Sequence, residues 1–332
     1  MSKTLLRPLL MLVALMLPLM GFAADDPGTV AQQAGNQTEV VWQALQQGQE
    51  GYTTSQSPFH AKPINTYDER IIPVREQYLA PGMMLALFGM IGVFVLFVLV
   101  NGISKLHDGY SGKMVFRWSK ADVAIHWLGA IPCLLLIITG LLLMAGRHFF
   151  EPTLGQGTFA AIMAAAKPIH DYMAIPFMFG WLLMTIKWAK NQIPAKYDLD
   201  WFMVVGGYIN FGPFKGKHPD AGFANAGEKM WFWTFVLFGA AIVASGAILL
   251  FPTVFEPSRT LSLLAIVAHG ASAIIICAFS IVHIFMATVM SEGGMECMKS
   301  GYCDENWAKQ HHNVWYDEIK ANGTLQYKSE SA

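Results

Sequence analysis

Residues 261–290 read LSLLAIVAHGASAIIICAFSIVHIFMATVM, an apolar run that nevertheless holds two ionisable side chains, His269 and His283. About 20 helical residues cross a hydrocarbon core, so the run is long enough to span one. An imidazole inside such a segment needs a partner or a function. Fourteen residues separate the pair, which in a helix is a rise of about 21 Å and a turn of about 1400°, roughly 40° short of four full turns. His269 and His283 therefore share one helix face, near opposite membrane surfaces.

Four further apolar segments precede this one, at 83–100, 122–144, 169–188 and 230–251. Each approaches or reaches spanning length. The chain has 332 residues, of which 54% are hydrophobic and 14% charged, well under the roughly 25% charged of an ordinary soluble domain. The reading is an all-α membrane protein. A formal net charge of -1 excludes a globally basic nucleic-acid binder, and the informative charge lies in how Lys and Arg divide between loops.

At the N-terminus, Lys3 and Arg7 precede an apolar run over 9–20, followed by Gly21, Ala23 and Ala24. This is the layout of a cleavable signal peptide over residues 1–24. A retained anchor helix is the alternative, but Pro8 and Pro18 cut the run to about half the ~20 residues a span requires. Residues 25–82 are polar and Gln-rich with several prolines, and predict an exported, periplasmic arm with little core of its own. An exported start followed by five crossings leaves the tail, 291–332, in the cytoplasm. Loop charge agrees. Lys105, Lys113, Arg117 and Lys120 follow the first segment, and Lys187, Lys190, Lys196, Lys215, Lys217 and Lys229 follow the third, whereas the loops assigned outside hold Arg147 and Lys167, and Arg259. Basic residues thus concentrate where the positive-inside rule requires them. The apolar patch 200–208 is too short to span and predicts an interfacial stretch.

That topology sets the depth of each intramembrane histidine. His126, early in the second segment, and His283 lie towards the cytoplasm; His170, opening the third segment, and His269 lie towards the exported side. A porphyrin iron takes two axial ligands from opposite faces, and neutral imidazole suits the task. Helical bundles commonly hold such cofactors in their cores. Two b-type haems, ligated by His126/His283 and by His170/His269, form the reading of the four residues together. For any one histidine the plain alternative is a buried hydrogen-bonded group or a proton-path residue. A zinc site would need three or four ligands converging at one point, which these depths do not offer.

Other candidates carry less. His60, His107, His148 and His218 fall in loops and read as solvated surface residues; His311 and His312 sit in a polar tail without a ligand role. Cys297 and Cys303 lack the companions of a closed four-ligand site. Gly89 and Gly92 would permit close helix contact, a common feature of membrane helices. Trp118, Trp127, Trp181, Trp188, Trp231 and Trp233 cluster near segment ends, as an aromatic belt would.

The stretches VAIHW (123–127), IHD (169–171), AHGA (268–271) and IVHI (281–284), together with NAGEKMWFW (225–233) and the tail WAKQHHNVWY (307–316), resemble in order and spacing the cytochrome b (gamma) membrane subunit of respiratory formate dehydrogenase. The resemblance covers roughly residues 115–320. It implies a four-helix di-haem cytochrome b bundle over 115–290, with the segment at 83–100 as one additional N-terminal transmembrane helix. It also implies a quinone site beside the cytoplasmic haem, at Asn225 and Gly227. Asn225 equally suits a helix cap, with Gly227 in the first turn. Glu228 stands where some relatives carry an amide.

The expected function is that of an electron-transfer subunit in the bacterial inner membrane. Electrons would pass from a periplasmic iron-sulfur (beta) subunit through two haem b groups to membrane quinone near the cytoplasmic side. By resemblance, formate is oxidised on a catalytic molybdenum or tungsten (alpha) subunit. Two other readings stay open: the cytochrome b subunit of an uptake hydrogenase or another periplasmic oxidoreductase, and a proton- or metal-coupled transporter.

Overall fold

A computed structural model describes residue 71 and residues 73–329; the expected signal peptide and most of the exported arm lie outside the described residues. Five long apolar helices dominate: α1 (Arg75–Asn101), α2 (Lys120–Phe149), α3 (Gln156–Gln192), α4 (Ala226–Leu250) and α5 (Arg259–Met290). Each is long and apolar enough to cross a membrane, and the chain is an integral membrane protein.

Helices α2 to α5 close into a four-helix bundle in which α2 packs on α3, α3 on α4, α4 on α5 and α5 on α2. Helix α1 lies outside this ring, against α5, with its first turns also reaching α2. Local sequence sets the helix starts. Ser119 caps α2 by accepting from the Asp122 N–H at 3.1 Å, and the Asp122 carboxylate accepts from the Ser119 N–H. Asn225 and Glu228 form the same reciprocal box at the start of α4, and the Ser258 hydroxyl caps α5. Such boxes satisfy amide donors that the helix itself leaves over.

Two helices run further back than the apolar segments indicate. Helix α1 begins at Arg75 and carries Pro81 within it. Its N-terminal half alternates π turns (Arg75–Leu79 and Leu85–Gly89) with an α turn (Ala80–Met84); the wider turns accommodate a residue that lacks an N–H and crowds the preceding turn. Helix α3 begins at Gln156 and includes Pro168 and Pro176.

Helices α2 and α3 meet backbone to backbone at Gly129 and Gly180. A Cβ on Gly180 would lie 2.5 Å from the Gly129 Cα, so glycine is what lets the two backbones meet. Gly92 has nothing within 4 Å of its Cβ position, and Gly89 meets only Leu85 of its own helix, so neither serves the contact that their spacing suggests.

The loops at one end of the bundle and the C-terminal tail form a single cap. Strand β1 (Met114–Phe116) pairs antiparallel with β2 (Tyr302–Asp304), Val115 opposite Cys303. Two short helices follow, α6 (Glu305–His311) and α7 (Asn313–Ala321). Gly301 sits at φ +85° with its Cβ position 2.3 Å from the Trp118 carbonyl oxygen, and that carbonyl-lined turn needs glycine. The cap is tied to the bundle by Trp127 Nε1 donating to the Met298 carbonyl at 2.6 Å and by Asn101 Nδ2 donating to the Tyr208 carbonyl at 2.8 Å. The apolar patch at 200–208 forms a short helix, Asp198–Met203, then a tight turn, with Leu199, Phe202 and Met203 exposed.

Gly180→Ala is expected to lower stability by about 1–3 kcal/mol, the range for overpacking a tight contact. Gly157→Ala, at a site with nothing within 4 Å, serves as the control. Thermal unfolding in detergent reads both; equal midpoints would contradict the contact assigned to Gly180.

Candidate functional site

The bundle brings the four intramembrane histidines together as two pairs. The His126 ring on α2 faces His283 on α5 with centroids 6.4 Å apart, and His170 on α3 faces His269 on α5 at 6.2 Å. Two imidazoles on one metal, each nitrogen about 2 Å from it and each ring centre about 1 Å behind its nitrogen, stand about 6 Å apart. Both pairs have that separation. Among the described residues, no group of three or more His, Cys, Asp or Glu side chains converges as a metal site, and the four histidines stand as two separate pairs.

At the His170/His269 end, each imidazole is oriented by a hydroxyl on the neighbouring helix. Thr139 Oγ1 donates to the Leu135 carbonyl at 2.7 Å and lies 2.9 Å from His170 Nδ1. Ser245 Oγ donates to the Ala241 carbonyl at 2.5 Å and lies 3.2 Å from His269 Nδ1. With its own proton committed, each hydroxyl acts as acceptor, so Nδ1 carries the hydrogen and Nε2 keeps a lone pair for a metal. The next residue is glycine in both cases. A Cβ on Gly140 would reach 3.4 Å from His170 Cε1, and one on Gly246 would reach 3.2 Å from His269 Cε1. The repeated hydroxyl–glycine dipeptide, Thr139–Gly140 and Ser245–Gly246, thus seats the two rings. An otherwise apolar cavity opens beside them, lined by α1 to α5. A flat apolar macrocycle with a metal centre fits this donor set and these walls.

At the other end, Trp231 stacks on His283 with ring centroids 5.3 Å apart and planes 21° from parallel. Position near a segment end had suggested only a membrane-belt role for this tryptophan. His126 Nδ1 is buried without a partner among the described residues. Asn225 and Gly227 lie at the start of α4. The Asn225 side-chain oxygen accepts from the Glu228 N–H at 2.9 Å, so the capping role is real, while its Nδ2 remains a donor. Gly227 packs under Trp201, whose ring lies 2.7 Å from the Cβ position.

A buried cation, Arg117, organises the cap. The Arg117 guanidinium is surrounded by Trp118, Phe223, Trp307 and Trp315, with ring centroids 5.0–5.9 Å away, and donates to the Phe223 carbonyl at 2.5 Å. Glu228 is its ion-pair partner at 3.4 Å. Cys297 receives a hydrogen bond from Arg117 at 3.7 Å, and Cys303 donates to the Val115 carbonyl at 3.8 Å, so both thiols are packing elements of the cap. His311 and His312, polar tail residues in sequence, are buried: His312 Nδ1 bonds the Gly222 carbonyl at 2.8 Å and its Nε2 lies 3.9 Å from Glu228. Arg147 and His148, near the opposite boundary, are exposed, with Arg147 paired to Glu151 at 3.3 Å.

A closed bundle with imidazole pairs facing each other across an apolar interior defines a membrane-embedded cytochrome of the b class. The sequence pattern of the prokaryotic cytochrome b561 family matches residues 117–301, and the chain belongs to that family. Membership implies haem b. The chain is similar to the cytochrome b556(Fdn) subunit of nitrate-inducible formate dehydrogenase from Escherichia coli K12, 28% identical over 212 residues, 63% of this chain and 93% of the relative. It is 29% identical over 221 residues to the formate dehydrogenase cytochrome b556 subunit of Haemophilus influenzae, 65% of this chain and 87% of the relative. The E. coli K12 cytochrome b556(fdo) subunit is 23% identical over 219 residues, 65% and 97%.

Burial, then the neighbouring His312 and His218, bring the His311 imidazole down to about 3. Burial and the Arg117 charge hold His312 well below its ordinary value. An unfolded histidine titrates near 6.5, so the unfolded tail binds protons at a pH where the folded one does not. Cap stability is therefore complete above about pH 6.5 and declines as pH falls from there towards 3. Hydrogen exchange in residues 291–329, corrected for intrinsic rates, should lose protection between about pH 7.5 and pH 5. His311→Asn should lessen that loss, and protection independent of pH would contradict the assignment.

Proposed function

We propose that this chain is the membrane-anchoring di-haem cytochrome b subunit of a formate dehydrogenase complex. It accepts electrons from a periplasmic iron-sulfur subunit, whose own donor is a catalytic molybdenum or tungsten subunit, and delivers them to membrane quinone near the cytoplasmic face. The observation that carries the reading is the pair of opposed imidazoles at each end of the bundle, 6.4 and 6.2 Å apart. The names of the relatives, all formate dehydrogenase cytochrome b556 subunits, favour formate as the ultimate donor.

When bound, the haems supply one-electron redox steps; the protein supplies position and environment. His126 and His283 would hold one group, His170 and His269 the other. Thr139 and Ser245 fix the tautomer and direction of their histidines, and the apolar walls exclude water. The two pairs are separated by about 21 Å of α5, so a two-step relay spans most of the bilayer. Moving each electron inward works against the membrane potential by up to about 2.3 kcal/mol per 100 mV, which stores part of the redox span. At the inner pair, the Asn225 Nδ2 and the Gly227 N–H, one of the amides that α4 leaves unbonded, are the donors for a quinone oxygen. Protons for quinol enter from the cytoplasm.

The test is a set of variants in the intact complex, read by reduced-minus-oxidised spectra with formate as donor. His126→Ala and His283→Ala should each remove the same haem and leave the other visible. Asn225→Leu should keep both haems reducible while quinone reduction slows at least tenfold. Loss of different haems in the two histidine variants would defeat the pairing; unaltered quinone turnover in Asn225→Leu would defeat the quinone site.

A further inference from the structure

Helix α1 lies outside the family match at 117–301, yet it forms part of the wall of the cavity beside His170 and His269. Leu79 and Met83 are buried there, 6% and 2% exposed. Leu79 also fills the space over Gly270, lying 3.0 Å from its Cβ position. The same helix brings Arg75 to the cavity, the formally charged side chain among its lining residues. Among the described residues Arg75 meets no carboxylate; its Nη2 donates to the neutral carbonyl of Leu143 at 2.9 Å. Arg147 and Lys167, cations of the same end, are each engaged by an acid, Glu151 and Asp171.

Arg75 is exposed at the mouth of an apolar cavity, where a planar guanidinium offers charge-assisted, bidentate bonding to a carboxylate that reaches it. Leu143 lies four residues beyond Thr139 on α2, a rise of about 6 Å, which sets Arg75 beyond the His170/His269 level, at the cavity rim. The group that the family implies carries two propionate carboxylates on one edge. Resting on the reading above, we propose that Arg75 is the cation that receives a propionate of the His170/His269 haem, and that α1 is a fifth wall of that site which tunes its potential. A fixed positive charge favours the electron-rich ferrous state, so Arg75 raises the potential of this haem and leaves the other, towards the far end of the bundle, largely untouched.

The experiment is an optical redox titration of the intact complex, with infrared difference spectra following the propionate bands. Arg75→Gln should lower the midpoint of one haem so that its reduction constant falls about tenfold, ~59 mV for one electron. The affected haem should be the one that survives in His126→Ala. Arg75→Lys should restore most of the potential, and the propionate bands should shift in Arg75→Gln. If Arg75→Gln sheds that haem, retention in Arg75→Lys supports the charge role and its loss there overturns it. Unchanged potentials and propionate bands at full haem content would also overturn it, as would a shift confined to the His126/His283 haem. Wild-type complex with fewer than two haems would instead overturn the di-haem reading itself.

Discussion

An imidazole in a membrane interior is tolerated where something satisfies it, and the bundle is arranged around that requirement. Each of four histidines faces another across the helix interface, which turns towards the bundle interior the polar atoms that would be costly against lipid. Helix α5 carries one member of each pair, and α2 and α3 carry the others. Those two helices meet backbone to backbone at the Gly129–Gly180 contact. The hydroxyls of Thr139 and Ser245 then decide which ring nitrogen faces inward.

The two ends of the bundle are built differently. The His170/His269 end has an apolar cavity with α1 as an added wall. The His126/His283 end is closed by the folded tail, where Arg117 sits among four aromatic rings and meets Glu228. Glu228 also completes the cap on Asn225. A buried charge left without its partner is strongly destabilising, so Arg117, Glu228 and the start of α4 behave as one unit. That unit couples the C-terminal tail to the segment proposed to meet quinone.

Much of this was legible in the residues. Apolar length gives five spans, and helical periodicity puts His269 and His283 on one face; the structure sets the His126 and His283 rings 6.4 Å apart and the His170 and His269 rings 6.2 Å apart, and their role as haem ligands belongs to the proposal. The signals that escaped are ones periodicity does not carry. Gly129 and Gly180 are on different helices, so no local spacing reveals their contact, whereas Gly89 and Gly92 share a helix and, among the described residues, a Cβ added at either would meet no other helix. Thr139–Gly140 and Ser245–Gly246 acquire meaning only when set against His170 and His269; their repetition was the available clue. His311 and His312 are polar in a polar tail, and their burial depends on loops more than 80 residues earlier. The apolar run begins only at residue 83, whereas α1 starts at Arg75 and continues through π turns around Pro81, so the reach of Arg75 lay outside the apolar signal.

The proposed relay requires each imidazole pair to grip its own iron. Pigment and iron analysis of the purified, fully loaded complex, normalised to this chain, tests that most directly. It should give two b-type haems per copy with the near-infrared and paramagnetic signatures of bis-imidazole ligation. One iron per chain, or two with a ligand other than imidazole on either, would contradict it.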